Sequence, residues 1–228
     1  MSSPITKKTS GFSLLELLLV MTIMLIALGI VSTLMARSFA VRARESRTTD
    51  ALTSAQAALS VLSREIANSG FGLYTNPTTK VADNGIIVAD SGQHQIRVRA
   101  NLDNSGGVPT SPGPQTLVIN SPGEDVTYFF DAATKSIVRY DANGLGVGSG
   151  ETSVVVNRIS NVTFQYYDYA GATATASGPF TVPTANTGRV QITVDVTLDP
   201  VAGEPNPQTV TFTSEVTLRN NEYMLQQY

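Results

Sequence analysis

The sequence predicts an α+β fold in which a long N-terminal helix packs on a largely antiparallel β-sheet domain. An unbroken apolar run over residues 12–36, followed by apolar side chains at spacings of three and four over residues 52–66, indicates the helix. Apolar alternation with a period of two beyond Gly72 indicates the sheet. We expect a leader, one long helix and a globular β-rich domain, at residues 1–11, 12–69 and 70–228.

The apolar run from Phe12 to Ala36 contains one charged residue, Glu16. At about 1.5 Å per residue this run rises about 37 Å as a helix, which exceeds the bilayer core of about 30 Å. We therefore predict that residues 12–36 cross a membrane. A carboxylate within such a run is costly and usually has a function, so Glu16 is a candidate site residue.

A short polar leader precedes this run and ends in two lysines and a glycine. The junction reads Lys7-Lys8-Thr9-Ser10-Gly11 and then Phe12-Ser13-Leu14-Leu15-Glu16. It resembles the N-terminus of type IV prepilins and of type II secretion pseudopilins. In that family a membrane aspartyl peptidase cuts after the glycine and methylates the new amine. The resemblance implies cleavage between Gly11 and Phe12, N-methylation of Phe12 and a pilin-like fold.

The resemblance also implies a role for Glu16 and a set of partners. In the family's mode of assembly, the glutamate pairs with the N-terminal amine of a neighbouring subunit. A wrong axial offset would leave both charges unpaired in hydrocarbon, so the pair would set the register. The implied partners are other pilin subunits, the prepilin peptidase and an inner-membrane assembly platform. The implied location is a single-pass inner-membrane precursor with a periplasmic C-terminal domain, and then a pilus at the cell surface.

Two other interpretations of the N-terminus are a secretory signal peptide and a plain signal anchor. A signal peptide usually has an apolar region of about 7–15 residues and a small-residue cleavage site, whereas this run is longer and residues 38–40 make a poor site. In a plain anchor, Glu16 would reach back to the interface. The distribution of basic residues does not predict which end of the run faces the cytoplasm, because basic residues flank both ends. They are Lys7, Lys8, Arg37, Arg42, Arg44 and Arg47.

The helix is predicted to continue beyond the membrane, because no proline occurs between Pro4 and Pro77. Gly70 and Gly72 supply the stop. The alternative is a break near Arg44 that would give two helices. The predicted buried stripe consists of Leu52, Ala55, Leu59, Leu62 and Ile66.

Nine strands are predicted beyond Gly72 from alternation and β-forming residues. The clearest hairpin joins residues 126–130 to residues 136–140, which must be antiparallel. The other predicted strands are 85–88, 95–99, 116–119, 153–159, 162–169, 189–198 and 209–218. Long polar segments between strands are predicted to be exposed loops, at residues 103–115, 141–150, 170–188 and 199–208.

Composition limits the possible functions. From Gly70 onward the chain has eight Lys and Arg against fourteen Asp and Glu. This balance argues against a general nucleic-acid-binding module, because phosphate contacts need clustered Lys and Arg. The chain has no cysteine, so disulfide and thiolate chemistry are excluded.

The residues give no enzyme signature, and we expect a protein without catalytic residues, cofactor or metal. His94 is the only histidine, so a Ser-His-Asp triad could form only there, and its surroundings indicate a loop or the start of a strand. Residues 141–146 begin like a calcium loop, but Leu145 and Thr152 occupy ligand positions, which favours a turn.

A tyrosine cluster, Tyr166, Tyr167 and Tyr169, could stack on a sugar or a base. Alternation along a strand places Tyr166 and Tyr167 on opposite faces, however, and favours ordinary sheet packing.

Pieces of the C-terminal region resemble the PilW-like minor pilins and, next, the J-type minor pseudopilins. The pieces are residues 59–71, the hairpin at 131–139 and the end of the last strand at 216–220. This resemblance implies a low-abundance structural pilin that assembles into or primes a type IV pilus. The alternatives are a minor pseudopilin of a type II secretion system and a pilus-tip adhesin or DNA-uptake receptor.

Overall fold

The computed structural model describes residues 11, 13–73, 83–103, 118–169, 176–198 and 207–220. Within these ranges, one long helix is followed by eight strands. The helix is α1 (Leu14–Ala67), and the strands are β1 (Gln95–Arg99), β2 (Asp125–Asp131), β3 (Ser136–Asp141), β4 (Glu151–Val156), β5 (Asn161–Tyr169), β6 (Ala176–Phe180), β7 (Thr187–Leu198) and β8 (Gln208–Thr217). The predicted α+β class, with a long N-terminal helix on antiparallel β structure, is confirmed.

Helix α1 is continuous over 54 residues and is therefore about 81 Å long. No break occurs near Arg44. The helix ends at Asn68, and Gly70 follows with a φ of 79°, in the left-handed region that glycine adopts at low cost. A Cβ on Gly70 would also lie 2.5 Å from the carbonyl oxygen of Asp83. Both the conformation and the close approach require glycine at this position.

The strands divide between two four-stranded sheets rather than one. Their orders are β1-β2-β3-β4 and β6-β5-β7-β8, and every neighbouring pair is antiparallel. The predicted hairpin is β2–β3, in which Phe130 lies opposite Ile137. Sequence periodicity gives the faces of each strand but not its neighbours, so it does not reveal the division into two sheets.

Two predicted elements differ from the structure. The proposed strand at residues 85–88 is a single bridge between Ile86 and Val98, followed by a 3-10 turn at Val88–Asp90. The predicted loop at 170–188 contains β6, whose Ala-Ser-Gly-Pro-Phe sequence lacks apolar alternation. Strand β6 pairs only with β5 at the sheet edge, a position where a proline such as Pro179 is tolerated.

Several predicted segments fall wholly or partly outside the described residues. The predicted strand at 116–119 is described only at Val118 and Ile119, which are not in a strand. Most of the predicted loops at 103–115 and 199–208 also lie outside the described ranges.

The core forms where the C-terminal half of α1 packs on β4, β7 and β8. The predicted stripe was partly wrong, because Leu52 and Leu59 are only half-buried flanks. Alanines take the central positions since their small side chains let the helix approach the sheet closely, and their spacing fits the same helical period. The buried stripe is Ala51, Ala55, Ala58, Leu62 and Ile66.

A buried carboxylate, Glu124, joins two separate parts of the chain just before β2. One of its oxygens accepts the backbone N–H groups of Leu102 and Asp103, at 2.8 and 3.3 Å. The other accepts those of Asn120 and Ser121, at 3.0 and 2.9 Å. Glu124 thereby fastens both ends of the insertion between residues 103 and 120.

We expect Glu124→Gln to lower the free energy of unfolding by about 2–4 kcal/mol. The amide nitrogen would be a donor facing backbone N–H donors, which leaves buried polar groups unsatisfied. Glu151→Gln is the matched control, because Glu151 is exposed and its replacement should change stability by less than about 0.5 kcal/mol. Denaturant unfolding of both variants, followed by near-ultraviolet circular dichroism, measures the difference. Equal stability of the two variants would contradict the assigned role of Glu124.

Candidate functional site

The N-terminal half of α1 stands apart from the globular domain. Its large apolar side chains are more than half exposed from Leu14 through Val41, reaching 81% at Leu14 and 70% at Leu25. The helix is long and apolar enough to cross a membrane, and its most apolar part is not buried by the rest of the chain. Apolar surface of this extent indicates burial in lipid or among other helices.

Glu16 lies in the first turn of α1. Ser13 is the N-cap residue and has an extended conformation, and its carbonyl oxygen accepts the N–H of Leu17 at 3.1 Å. The unpaired N–H groups of a first turn, together with the helix dipole, favour a carboxylate there. Among the described residues Glu16 has neither an ion-pair nor a hydrogen-bond partner. Its carboxylate is therefore available to a donor from another molecule.

Two threonine hydroxyls in the apolar half are satisfied within the helix. The Thr22 hydroxyl donates to the carbonyl oxygen of Leu18 at 2.8 Å, and the Thr33 hydroxyl donates to that of Gly29 at the same distance. Such bonds remove the cost of exposing a hydroxyl to hydrocarbon. Glu16 differs from these residues because its carboxylate accepts no hydrogen bond within the described residues.

The arginines that follow the apolar run mark the change to a polar environment. Arg37 and Arg42 are exposed on α1. Arg44 donates to the side-chain oxygen of Gln208 in β8 at 2.8 Å. The base of the globular domain therefore begins about 12 Å beyond Ala36, at 1.5 Å per residue.

Comparison with known families agrees with this geometry. The family model of the prokaryotic N-terminal methylation motif matches residues 6–32, which include Gly11, Glu16 and most of the apolar run. The motif supports a type IV pilin-like or pseudopilin-like protein. No curated protein and no solved structure matches the chain. The motif implies assembly with pilins and membrane machinery in general, and together with the exposed helix it supports membrane anchoring.

Within this pilin-like chain the predicted processing site is described only in part. Gly11 is exposed just before the N-cap, whereas Phe12 lies outside the described residues. Cleavage after Gly11, methylation of Phe12 and pairing of Glu16 therefore stay predictions.

His94 occupies the start of a strand, as its surroundings predicted, immediately before β1. Its ring Nδ1 lies 2.8 Å from the carbonyl oxygen of Val162 in β5. Nearby, the N–H of Phe164 donates to the carbonyl oxygen of Gln93 at 2.8 Å. These contacts connect the two sheets, which is a structural role for His94.

Asp141 uses both carboxylate oxygens to accept hydrogen bonds. One accepts the N–H of Asn143 at 3.1 Å, and the other accepts the N–H of Gly123 at 2.7 Å and the Arg139 guanidinium at 3.0 Å. Within the described ranges no group of three or more His, Cys, Asp or Glu residues could hold a metal ion. The segment after β3 forms turns, as predicted.

The tyrosines of β5 pack within the domain. Tyr166 is fully buried, and its hydroxyl donates to the carbonyl oxygen of Gly92 at 2.8 Å, while burial raises the pKa of the phenol. Tyr167 lies on the other face, where the guanidinium of Arg189 is 4.2 Å from the ring centroid. Sheet packing was the preferred interpretation, and Tyr166 confirms it.

Two features were not anticipated from the sequence. Ser13 and Glu16 have the Ser-x-x-Glu spacing of a helix capping box, which predicts a helix start at Ser13. The helix does start there, although the Ser13 side chain makes no capping hydrogen bond. Glu124 carries no comparable signal. Its four backbone partners come from either side of a long insertion and meet only in the fold.

Proposed function

We propose that this protein is a minor, structural pilin subunit that joins or primes a type IV pilus through its N-terminal helix. The observation that carries this proposal is the exposed apolar half of α1, with Glu16 in its first turn, where no described residue pairs with it, and the methylation motif spanning both. Processing by a prepilin peptidase after Gly11 would leave Phe12 as the N-terminus. An inner-membrane assembly platform would then receive the subunit, with its C-terminal domain in the periplasm.

Glu16 would control how the subunit docks. A carboxylate surrounded by apolar helices needs a cation, and the amine of Phe12 on a neighbouring subunit would supply one. Contacts among the many exposed apolar side chains of residues 14–36 vary little with a small axial slip. A single charge pair is sensitive to such a slip, so Glu16 sets the register while dispersion provides cohesion.

The position of the subunit is proposed from its insertions. A shaft subunit must bury most of its domain against copies of itself, whereas this chain carries long polar insertions at residues 103–115 and 199–208. Glu124 holds the ends of the first insertion at one place on the domain. A free upper surface at the tip or initiation complex would accommodate such insertions, in agreement with the PilW-like resemblance.

The second candidate is a minor pseudopilin of a type II secretion system, since the J-type resemblance and the same N-terminal helix fit both machines. Genes for a secretion apparatus beside this one would favour that candidate. A tip adhesin or DNA-uptake receptor would require a binding surface in addition to the helix.

We predict that the mature chain begins at Phe12 and carries a methylated amine. Removal of 11 residues from 228 leaves 217. Intact-mass measurement and N-terminal peptide analysis of protein from the native host test this. A mature chain that begins at Met1, or beyond Ala36, would contradict the prediction.

Replacing Glu16 by Ala should lower incorporation into fibres by about tenfold or more, because the neighbouring amine would lose its partner in hydrocarbon. Membrane insertion should be unchanged or better. Thr22→Val is the matched control, since its hydroxyl is satisfied within the helix and its loss should not affect assembly. Glu16→Lys should assemble less well than Glu16→Ala.

Immunoblots of sheared fibres and of membranes measure both effects in the same cells. Recovery of Glu16→Ala subunits in fibres at the unmodified level would exclude the proposed pairing.

Quantitative mass spectrometry of purified fibres tests the position of the subunit. We expect this chain at no more than about a few per cent of the dominant pilin, because insertions of this size would collide if repeated at every axial step. Finding the chain as the dominant component would assign it to the shaft instead.

A further inference from the structure

A cleft of about 470 Å³ lies between α1 and the turns at one end of the two sheets, and neither the apolar residues 14–36 of the helix nor the processing site contributes to its described lining. Three elements supply its charged side chains. Arg47 comes from α1, Lys135 from the β2–β3 turn and Arg158 from the β4–β5 turn. Residues widely separated in sequence thus place three cations around one opening.

Within the described part of the chain, the three cations have no counter-charge. None of them makes an ion pair there, and none of the described residues that line the cleft carries a carboxylate. This contrasts with other basic residues of the domain, such as Arg97, which is held by Asp90 and Asp125. Like charges around one cleft repel each other, so an anion placed between them would be favoured.

The fold fixes two of these cations relative to each other. The carbonyl oxygen of Lys135 accepts the N–H of Ile159 at 3.0 Å, which ties the two turns together. Lys135 and Arg158 also share a left-handed backbone, with φ values of 51° and 61°, and are the non-glycine residues with positive φ in the described ranges. Each closes a turn, so this conformation names no ligand by itself. The hydrogen bond between the two turns does keep the backbones of both residues close together.

The rest of the cleft is apolar at its floor and polar at its side. Ile159 and Val196 are buried beneath it, next to Ala51 of the helix stripe. Ser160 and Thr197 line the side, and the hydroxyl oxygen of Ser160 accepts the N–H of Thr197. A ligand with a charged head and a less polar body would match this arrangement.

We infer that the cleft binds a phosphate-bearing ligand with two or more negative charges. Guanidinium groups match phosphate oxygens in geometry, and a lysine adds a point charge. The volume falls within the range of about 300–1,000 Å³ that small-ligand sites occupy. This inference goes beyond the proposed function and does not depend on it.

The distance of the cleft from the predicted membrane segment helps to distinguish a lipid phosphate from a soluble one. Arg47 lies 11 residues beyond Ala36, which is about 16 Å along the helix. Headgroup phosphates of the membrane would be nearer to Arg37. A phosphorylated small molecule or surface glycan reaches the cleft more readily than a lipid does.

Calorimetric titration of the full chain in non-ionic detergent with inorganic pyrophosphate tests the inference. Three variants remove one cation each, namely Arg47→Gln, Lys135→Asn and Arg158→Asn. Asparagine is chosen at the two turn positions because it tolerates the left-handed backbone. Arg42→Gln is the matched control, since Arg42 is exposed on the same helix and does not line the cleft.

We expect pyrophosphate to bind the unmodified chain and each cleft variant to weaken binding by about tenfold, as for a lost charge-assisted hydrogen bond. Arg42→Gln should change affinity by less than about twofold, because a remote exposed charge is screened by salt. Unchanged circular dichroism would establish that the variants are folded. Absence of pyrophosphate binding at millimolar concentration, or equal losses for Arg42→Gln and the cleft variants, would overturn the inference.

A second arm identifies the source of the phosphate. The same titration is repeated in nanodiscs of phosphatidylcholine and of phosphatidylglycerol. Equal pyrophosphate affinity in the two lipids supports a soluble or glycan-borne phosphate. Competition by phosphatidylglycerol that is lost in Arg158→Asn would show that a singly charged lipid headgroup occupies the cleft, and it would overturn the inferred preference for two or more negative charges. Fibre incorporation of Arg158→Asn should be normal, whereas that of Glu16→Ala is not, so the two proposals fail separately.

Discussion

The architecture depends on the close packing of one face of α1 against the sheets. Alanines at positions 51, 55 and 58 let the helix backbone approach β7 and β8, and Leu62 and Ile66 complete the buried face. All of these buried residues lie in the C-terminal half of the helix. The N-terminal half is therefore held away from the domain as a projecting apolar rod. The same continuous helix is thus suited to two environments, a protein core and a membrane.

Buried polar side chains connect the parts of this cysteine-free domain. The side-chain amide of Asn84 donates to the carbonyl oxygen of Thr187 at 2.9 Å, and its backbone carbonyl oxygen accepts the Ser69 hydroxyl at 2.6 Å. Asn84 therefore connects the helix end to the second sheet. Within the first sheet, burial alone would raise the pKa of Asp125, but the Arg97 and Arg99 guanidinium groups outweigh it and hold that pKa below its usual value. Hydrogen bonds and ion pairs of this kind require a defined geometry, whereas apolar packing does not.

The division of α1 also separates the two sites that we propose. In our proposal, Glu16 would act at one end of an 81 Å helix, through a partner from another subunit and without a group from its own domain. The cationic cleft begins at Arg47, where the helix first meets the turns of the sheets. Assembly and ligand binding would therefore be physically independent. A subunit near a filament tip could bind a phosphorylated ligand without altering the helix contacts that hold it in place.

The sequence by itself determined the features that are local in the chain. Helical and strand periods, glycine stops and the glycine-to-glutamate junction at Gly11–Glu16 are all carried by neighbouring residues, so the α+β class, the continuous helix and most strands could be predicted. Only the tertiary structure decided which residues meet across long separations. In the structure, alanines rather than Leu52 and Leu59 occupy the centre of the buried helix face, and the strands form two sheets. Lys135 and Arg158 line the same cleft as Arg47. Periodicity determines on which face of a helix or strand a side chain lies. Which residues from other elements it contacts depends on how closely those elements pack, and no single segment of the sequence encodes that packing distance.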